Sequence, residues 1–130
     1  MLSRRAALLA GAAASSVFVT PAFTAEPKPF TRDDFAAAQK AGKPIFVAIH
    51  ATWCPTCKAQ KPILDKLTAD PKFRDLKIFR VDFDSMKPQV KAFGAQMQST
   101  LIVFKGTTEQ GRSVGDTKED SIAALLDKSL

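Results

Sequence analysis

Two cysteines separated by two residues are the part of this sequence best suited to chemistry. Cys54 and Cys57 are the only cysteines of the chain and stand in the stretch A-T-W-C-P-T-C-K. A pair at this spacing can exchange electrons as dithiol and disulfide, supply thiolates to a soft metal ion, or form a structural bridge. A bridge that closes so small a loop removes little entropy from the unfolded chain, which disfavours the structural role. Electron exchange is therefore the preferred interpretation.

The position of the pair at the start of a predicted helix gives the two sulfurs different roles. Unpaired backbone N–H groups and the helix dipole favour the thiolate of Cys54, and Lys58 adds a nearby positive charge. Pro55 suits the first helical turn, because an N–H at that position has no helical partner. Cys57 lies one turn further along, where we expect it to be better shielded from solvent than Cys54. We therefore predict that Cys54 attacks a client disulfide and that Cys57 resolves the mixed disulfide.

Alternating helices and strands are predicted around this motif. A helix from Thr31 to about Ala41 precedes a strand at 44–50, whose apolar run suits burial on both faces. The motif helix runs from Cys54 to about Thr68, and Pro62 within it predicts a kink. Further along the chain, the pattern predicts strands at 76–84, 100–105 and 112–114, a turn at 106–111, and helices at 87–93 and about 118–128.

The start of the chain has the features of an export signal. Arg4 and Arg5 are followed by an apolar run over 6–19, and the small residues Ala22 and Ala25 offer cleavage points. The stretch S-R-R-A-A-L-L is similar to a twin-arginine signal, and the general secretory route is the alternative. We therefore expect export to a bacterial envelope compartment, the periplasm, where disulfides can persist.

The two parts of the chain are predicted to be a signal peptide at 1–25 and a single domain at 26–130. A chain of 130 residues, 45% of them hydrophobic, is long enough for one compact core. Lysines between 58 and 91 are interspersed with aspartates, which indicates a solvated mixed surface rather than a nucleic-acid-binding face. We expect a monomer with no stable membrane anchor after signal cleavage.

The motif and its surroundings resemble the thioredoxin family. W-C-P-T-C-K is similar to the family's active site, P-I-L-D-K-L falls at the spacing of its kinked helix, and T-L-I-V-F-K-G resembles its fourth strand. The likeness runs from about Thr31 to the C-terminus. It implies an α/β thioredoxin fold with a central mixed β-sheet flanked by helices. It also implies a thiol–disulfide oxidoreductase that acts on protein disulfides, with no metal and no cofactor beyond the redox-active Cys54–Cys57 disulfide.

A narrower likeness concerns the electron source. The segment A-Q-K-A-G-K-P-I-F-V is most similar to envelope thioredoxin domains that accept electrons from membrane reductants, including the C-terminal domain of the bacterial disulfide-interchange reductase. This implies a reducing or relay role, with a membrane-bound thiol reductant as candidate partner. The uncharged residues between the cysteines agree with that direction, because strongly oxidising relatives place a histidine there. The residues expected to bind substrate or tune the thiols are Trp53, Pro55, Thr56, Lys58, Ser99 and Thr100.

Three positions depart from the family pattern. Ser99 stands where the family has a cis-proline facing the active site, and we expect a family-like loop here nonetheless. On that expectation, a proline at this position would stabilise the domain. Ala48 replaces the buried aspartate that takes the proton of the inner thiol, and Arg80 stands where the family usually has a lysine. Without the acid, Cys57 needs water or another base to lose its proton.

Two other functions remain open. A Cu(I) carrier could use the two cysteines with His50 or Met97, and Ser99 allows it because the family's proline crowds metals away from the cysteines. A partner-binding module with a vestigial motif is the other alternative. As single residues, His50 is more simply interpreted as a core or strand-end histidine, and Met86 and Met97 as core residues.

Overall fold

The computed structural model of the chain describes residues 11–19 and 25–130. Residues 11–19 have no regular secondary structure and are exposed. Most of the predicted signal peptide, including Ala22, therefore lies outside the described residues. Within the described ranges, none of the helices has the length and apolar character needed to cross a membrane.

A mixed β-sheet forms the centre of the fold. Its strands are β1 (Pro27–Pro29), β2 (Pro44–His50), β3 (Lys77–Asp82), β4 (Thr100–Lys105) and β5 (Thr108–Val114). They lie in the order β1-β3-β2-β4-β5. The strands β1, β3 and β2 are mutually parallel, whereas β4 and β5 run antiparallel to their neighbours. The strand that leads into the cysteine motif, β2, is thus the central strand of the sheet.

Helices cover both faces of this sheet. They are α1 (Arg32–Lys40), α2 (Pro55–Thr68), α3 (Lys87–Ala92) and α4 (Glu119–Asp127). Because successive side chains of a strand point to opposite faces, Val47 packs in the cluster with α1 and α3. Phe46 and Ala48 pack on the other face, against residues of α2 and α4. The predicted arrangement of a mixed sheet flanked by helices is confirmed.

Local sequence signals account for the boundaries of α1. The Thr31 hydroxyl accepts a hydrogen bond from the backbone N–H of Asp34 at 3.1 Å, which caps the helix as predicted. The rings of Phe30 and Phe35 lie 5.4 Å apart across the same turn. Gly42 ends the element with φ of +67°, a conformation that costs glycine little. The chain thus turns directly into β2.

The prediction of a long turn at 106–111 was wrong. The turn occupies only 106–107, and β5 begins at Thr108. β5 is an edge strand whose residues are mostly exposed, so it lacks the apolar alternation by which a strand is recognised. The pairing of β4 with β5 also shifts register between Val103 and Phe104, where β5 contains one extra residue that interrupts any alternation.

Two other elements differ from the sequence pattern. The edge strand β1 was not predicted, because a P-K-P stretch lacks two backbone donors and reads as a non-strand segment. The strand expected at 76–84 ends at Asp82, whose carboxylate accepts the backbone N–H groups of Asp84 and Ser85 at 3.0 and 2.9 Å. This turn redirects the chain toward α3.

Candidate active site

The two sulfurs lie at the N-terminus of α2. Cys54 is the N-cap residue, and its sulfur accepts the backbone N–H of Cys57 at 3.2 Å. Pro55 occupies the first helical position, as predicted. Both cysteines are free thiols, and the two thiols are within hydrogen-bonding reach of each other. Two adjacent sulfurs at a helix N-terminus are arranged for thiol–disulfide exchange.

The exposure of the two cysteines is the reverse of the prediction. Cys54 is only 1% exposed, whereas Cys57 is partly exposed. The physical reason is the cap: the Cys54 sulfur turns in over the first turn of α2 to accept the N–H of Cys57, while Cys57 lies on the wall of a pocket between α2 and the sheet. A client disulfide that reacts with Cys54 must therefore be brought close to this turn.

The thiol of Cys57 is held mainly in its protonated form. Burial raises the pKa of Cys57, and its hydrogen bond with the Cys54 side chain raises it further. Backbone N–H groups of Ala51 and Ser99 lower the pKa of Cys57 in part, because they donate toward its sulfur. The net direction is upward, so less of Cys57 is thiolate at neutral pH than of an ordinary thiol.

Ser99 adopts a backbone conformation unlike that of a proline. Its φ is +58°, and the described residues contain no cis peptide bond. The expectation that this loop keeps a family-like proline conformation was therefore wrong. The physical reason is that a trans serine in the left-handed region turns its carbonyl toward Gly115, whose N–H donates to it at 3.0 Å. Because serine retains its N–H, that group is also free to face Cys57.

Gln60, which was not predicted from the sequence, fastens this loop to α2. It is 3% exposed, and its side-chain amide donates to the carbonyl oxygens of Ser99 at 3.3 Å and Asp116 at 2.8 Å. A buried amide with both partners supplied is a strong local constraint. The one available signal was a glutamine at an inward-facing position of a helix.

Trp53 lies on the exposed rim of the site. It is 55% exposed, and its indole N–H donates to the Asp84 carboxylate at 2.7 Å, which fixes the ring beside the cysteines.

Met97 is 51% exposed, so the prediction that it is a core residue was wrong. Met86, by contrast, packs against the core that includes α1 and α3. Other predicted site residues lie around the motif: Pro55 and Lys58 are exposed, Thr56 is partly buried, and buried Thr100 donates its hydroxyl to the Met97 carbonyl at 2.7 Å.

The donor set around the cysteines is small. Among residues 11–19 and 25–130, no three His, Cys, Asp or Glu side chains cluster closely enough to hold a metal ion. His50 ends β2 and is partly buried beside the site, which agrees with the strand-end interpretation. Cys54 and Cys57 are thus the reactive side chains that the start of α2 brings together.

Comparison with known proteins gives consistent matches. A family model described as Thioredoxin matches residues 26–128. The thioredoxin of Chlamydia muridarum is 34% identical over 98 residues, which cover 75% of this chain and 93% of that protein. A thioredoxin H-type protein of Brassica campestris is 34% identical over 93 residues, covering 72% and 74%. The crystal structure of Trxlp from Edwardsiella tarda has a TM-score of 0.76 and 38% identity, covering 78% of this chain and 98% of that one.

Replacing Ser99 by proline should destabilise the protein. Proline requires φ near −65°, whereas residue 99 has φ of +58°, so the loop must rearrange at a cost of more than about 1 kcal/mol. Ser99→Gly is the matched control, because glycine accepts the same backbone conformation and keeps the N–H. Thermal unfolding of both variants measures the difference. A Ser99→Pro variant as stable as the parent would show that residue 99 does not hold a left-handed backbone conformation in solution.

Alkylation of the reduced protein should label Cys54 at a lower pH than Cys57. Because the pKa of Cys57 is raised, its thiolate, which is the reactive form, accumulates only as the pH rises above the range of an ordinary thiol. Iodoacetamide labelling across a pH series, followed by peptide mapping, gives a profile for each cysteine. Labelling of Cys57 first would mean that its greater exposure outweighs its protonation, and the assigned roles would be reversed.

Proposed function

Because this chain belongs to the thioredoxin family of thiol–disulfide oxidoreductases, we propose that Cys54 and Cys57 are its redox-active dithiol and that it passes electrons to protein disulfides in the bacterial envelope. The observation that carries this proposal is the pair of free thiols at the start of α2, with the Cys54 sulfur at the N-cap. The dithiol itself carries the electrons, so the reaction needs no further cofactor.

The geometry supports a two-step exchange. The thiolate of Cys54 attacks one sulfur of a client disulfide, which forms a mixed disulfide and releases one client thiolate. Cys57 then loses its proton and attacks the Cys54 sulfur, which forms the Cys54–Cys57 disulfide and releases the second client thiolate. Two electrons have passed to the client. The N–H groups of Ala51 and Ser99 face the Cys57 sulfur and favour its thiolate during the second step.

The exposed rim around Trp53 supplies a docking surface for this exchange. Its indole is held in place by Asp84, and the exposed Met97 lies on the loop that precedes Ser99. An extended client segment placed between them would bring its disulfide to the first turn of α2. This approach compensates for the low exposure of Cys54, because docking delivers the client sulfur to it.

The direction of electron flow that we propose is reducing or relaying. Pro55 and Thr56, the two residues between the cysteines, carry no charge. They therefore offer no cation to stabilise the outer thiolate and so the reduced form, which is how strong oxidants of this kind gain their oxidising power. A membrane-bound thiol reductant would recharge the dithiol, and the protein would act as a monomer. The basic and apolar pattern of residues 1–25 supports delivery to the envelope.

Removal of the resolving thiol should trap clients on the protein. In Cys57→Ala the first attack still occurs but the second cannot, so mixed disulfides on Cys54 accumulate. They are recovered from envelope extracts by an affinity tag and separated on non-reducing gels, with release by dithiothreitol as the criterion. We expect several discrete adducts.

The matched control is the double variant Cys54→Ala/Cys57→Ala, which lacks both sulfurs and should recover no reductant-sensitive adducts. Reduction of insulin disulfides by the parent protein, followed by turbidity, provides an independent measurement of activity. Absence of both adducts and insulin reduction would contradict the proposed function and favour a Cu(I) carrier or a binding module.

Export should remove the N-terminal segment. When the full chain is expressed in a Gram-negative bacterium, the envelope fraction should contain a protein that begins between Phe23 and Glu26, as determined by intact mass. Replacing both Arg4 and Arg5 by lysine separates the two routes, because the twin-arginine pathway requires the arginines and the general secretory pathway accepts lysines. Recovery of only the unprocessed chain from the cytosol would contradict the envelope location.

A further inference from the structure

A pocket opens between the sheet and α2 directly beside the resolving thiol. Its cavity volume is about 70 Å³, enough for a few water molecules. Its floor includes Ala48 and His50 from β2, and its wall includes Cys57 and Gln60 from α2. A small residue at position 48 leaves this space open and places no acid there.

The strand register explains why a histidine reaches this pocket. Ala48 and His50 are two residues apart on β2, so their side chains point to the same face of the sheet, the face that α2 covers. On the parallel neighbour β3, Ala48 pairs with Arg80 and His50 pairs with Asp82. His50 and Cys57 therefore line the same small cavity, His50 from the sheet and Cys57 from α2.

The other ionisable groups around the imidazole are either positively charged or bonded to another group. Arg80 lines the pocket from β3, and Asp82 beside it is engaged by the backbone N–H and hydroxyl of Ser85. From α2, Lys61 and Asp65 also line the pocket, and they pair with each other at 2.6 Å. Among the ionisable side chains that line the pocket besides Cys57, His50 is the only base that is neither a cation like Arg80 and Lys61 nor held in an ion pair like Asp65.

We propose that His50 is the general base that accepts the proton of Cys57, through water in this pocket, when Cys57 resolves the mixed disulfide. This inference rests on the proposed function, since it presupposes that Cys57 is the resolving thiol. It assigns a catalytic role to a residue that sequence reasoning interpreted as a strand-end histidine.

The resolving step transfers one proton to His50 and two electrons to the client. The Cys57 S–H bond breaks, its proton passes by way of water to a ring nitrogen of His50, and the sulfur electron pair forms the bond to Cys54. The Cys54–client S–S bond breaks at the same time, and its electron pair leaves with the client thiolate. The imidazolium then returns its proton to solvent through the open side of the pocket. The client disulfide is the oxidant, and the dithiol is oxidised.

The protonation behaviour of the two groups suits this transfer. Burial raises the pKa of Cys57, so the thiol needs help to lose its proton at neutral pH. Burial lowers the pKa of His50 from its ordinary 6.5, and the positive charge of Arg80 lowers it further against the opposing effect of Asp82. His50 is therefore neutral at pH 7 and able to accept a proton.

The test isolates the resolving step. Reduced protein is treated with the aromatic disulfide 5,5′-dithiobis(2-nitrobenzoate), which releases one coloured thiolate when Cys54 attacks and a second when Cys57 resolves the adduct. In stopped-flow measurements at neutral pH, His50→Gln should slow the second release by about 100-fold, the lower end of what a positioned base contributes. The first release depends on Cys54 and measures whether the dithiol reacts at all.

The pH profile supplies a readout that a purely structural role would not change. In the parent protein the rate of the second release should decline only below the ordinary pKa of histidine, because the base form of His50 persists until then. In His50→Gln the rate should instead rise about tenfold per pH unit through neutrality, as expected when solvent removes the proton. At high pH, where Cys57 is already thiolate, the two proteins should converge.

Two further variants control for the pocket itself. Lys66→Gln removes a charged side chain of α2 that does not line the pocket and should leave both releases unchanged. Ala48→Asp in the His50→Gln background places a carboxylate on the pocket floor and should restore the second release. Thermal unfolding of each variant verifies that the fold is retained.

The outcomes separate this inference from the function on which it rests. Normal first release with an unaltered rate and pH profile of the second release in His50→Gln would overturn the role of His50 and leave the dithiol function standing. Failure of the parent protein to release the first thiolate would instead refute the dithiol function.

Discussion

The hydrogen bond from the Cys57 N–H to the Cys54 sulfur is the interaction on which the site depends. It closes the first turn of α2 with a sulfur instead of the oxygen that usually caps a helix. Its location is determined by β2, which is buried between β3 and β4 at the centre of the sheet. Because buried core strands generally open last, attachment to β2 gives the redox pair a stable base.

The loop at Ser99 shows how a departure from the family pattern alters the chemistry available beside the cysteines. Where a proline would present no donor, the trans serine directs an N–H toward Cys57 and its carbonyl toward Gln60 and Gly115. The left-handed backbone of a non-glycine residue costs free energy of roughly 1 kcal/mol or more, and these hydrogen bonds offset it. A polar network thus replaces the stiffness of a proline ring.

Position 48 carries no acid, and His50, on the same face of β2, is the base that lines the pocket beside it. An aspartate at position 48 would stand beside Cys57, whereas alanine leaves a small pocket that the histidine lines instead. A carboxylate held in an apolar site must have a raised pKa to act as a base near neutrality, whereas histidine titrates close to that range by nature. The exchange of one base for another would therefore move the pH range over which the second step is efficient.

The sequence by itself determined the features that depend on neighbours along the chain. Four elements follow from capping residues, apolar periodicity and the C-x-x-C spacing, and the structure contains each of them: the helix capped by Thr31, the strands at 44–50 and 100–105, and the cysteine-capped α2. Only the tertiary structure decided the features that depend on residues far away in sequence. Gln60 became part of the site through a carbonyl 56 residues distant, and β5 exists because β4 offers it an edge. The exposure of the two thiols belongs to the second group as well, because burial is decided by what packs over a residue.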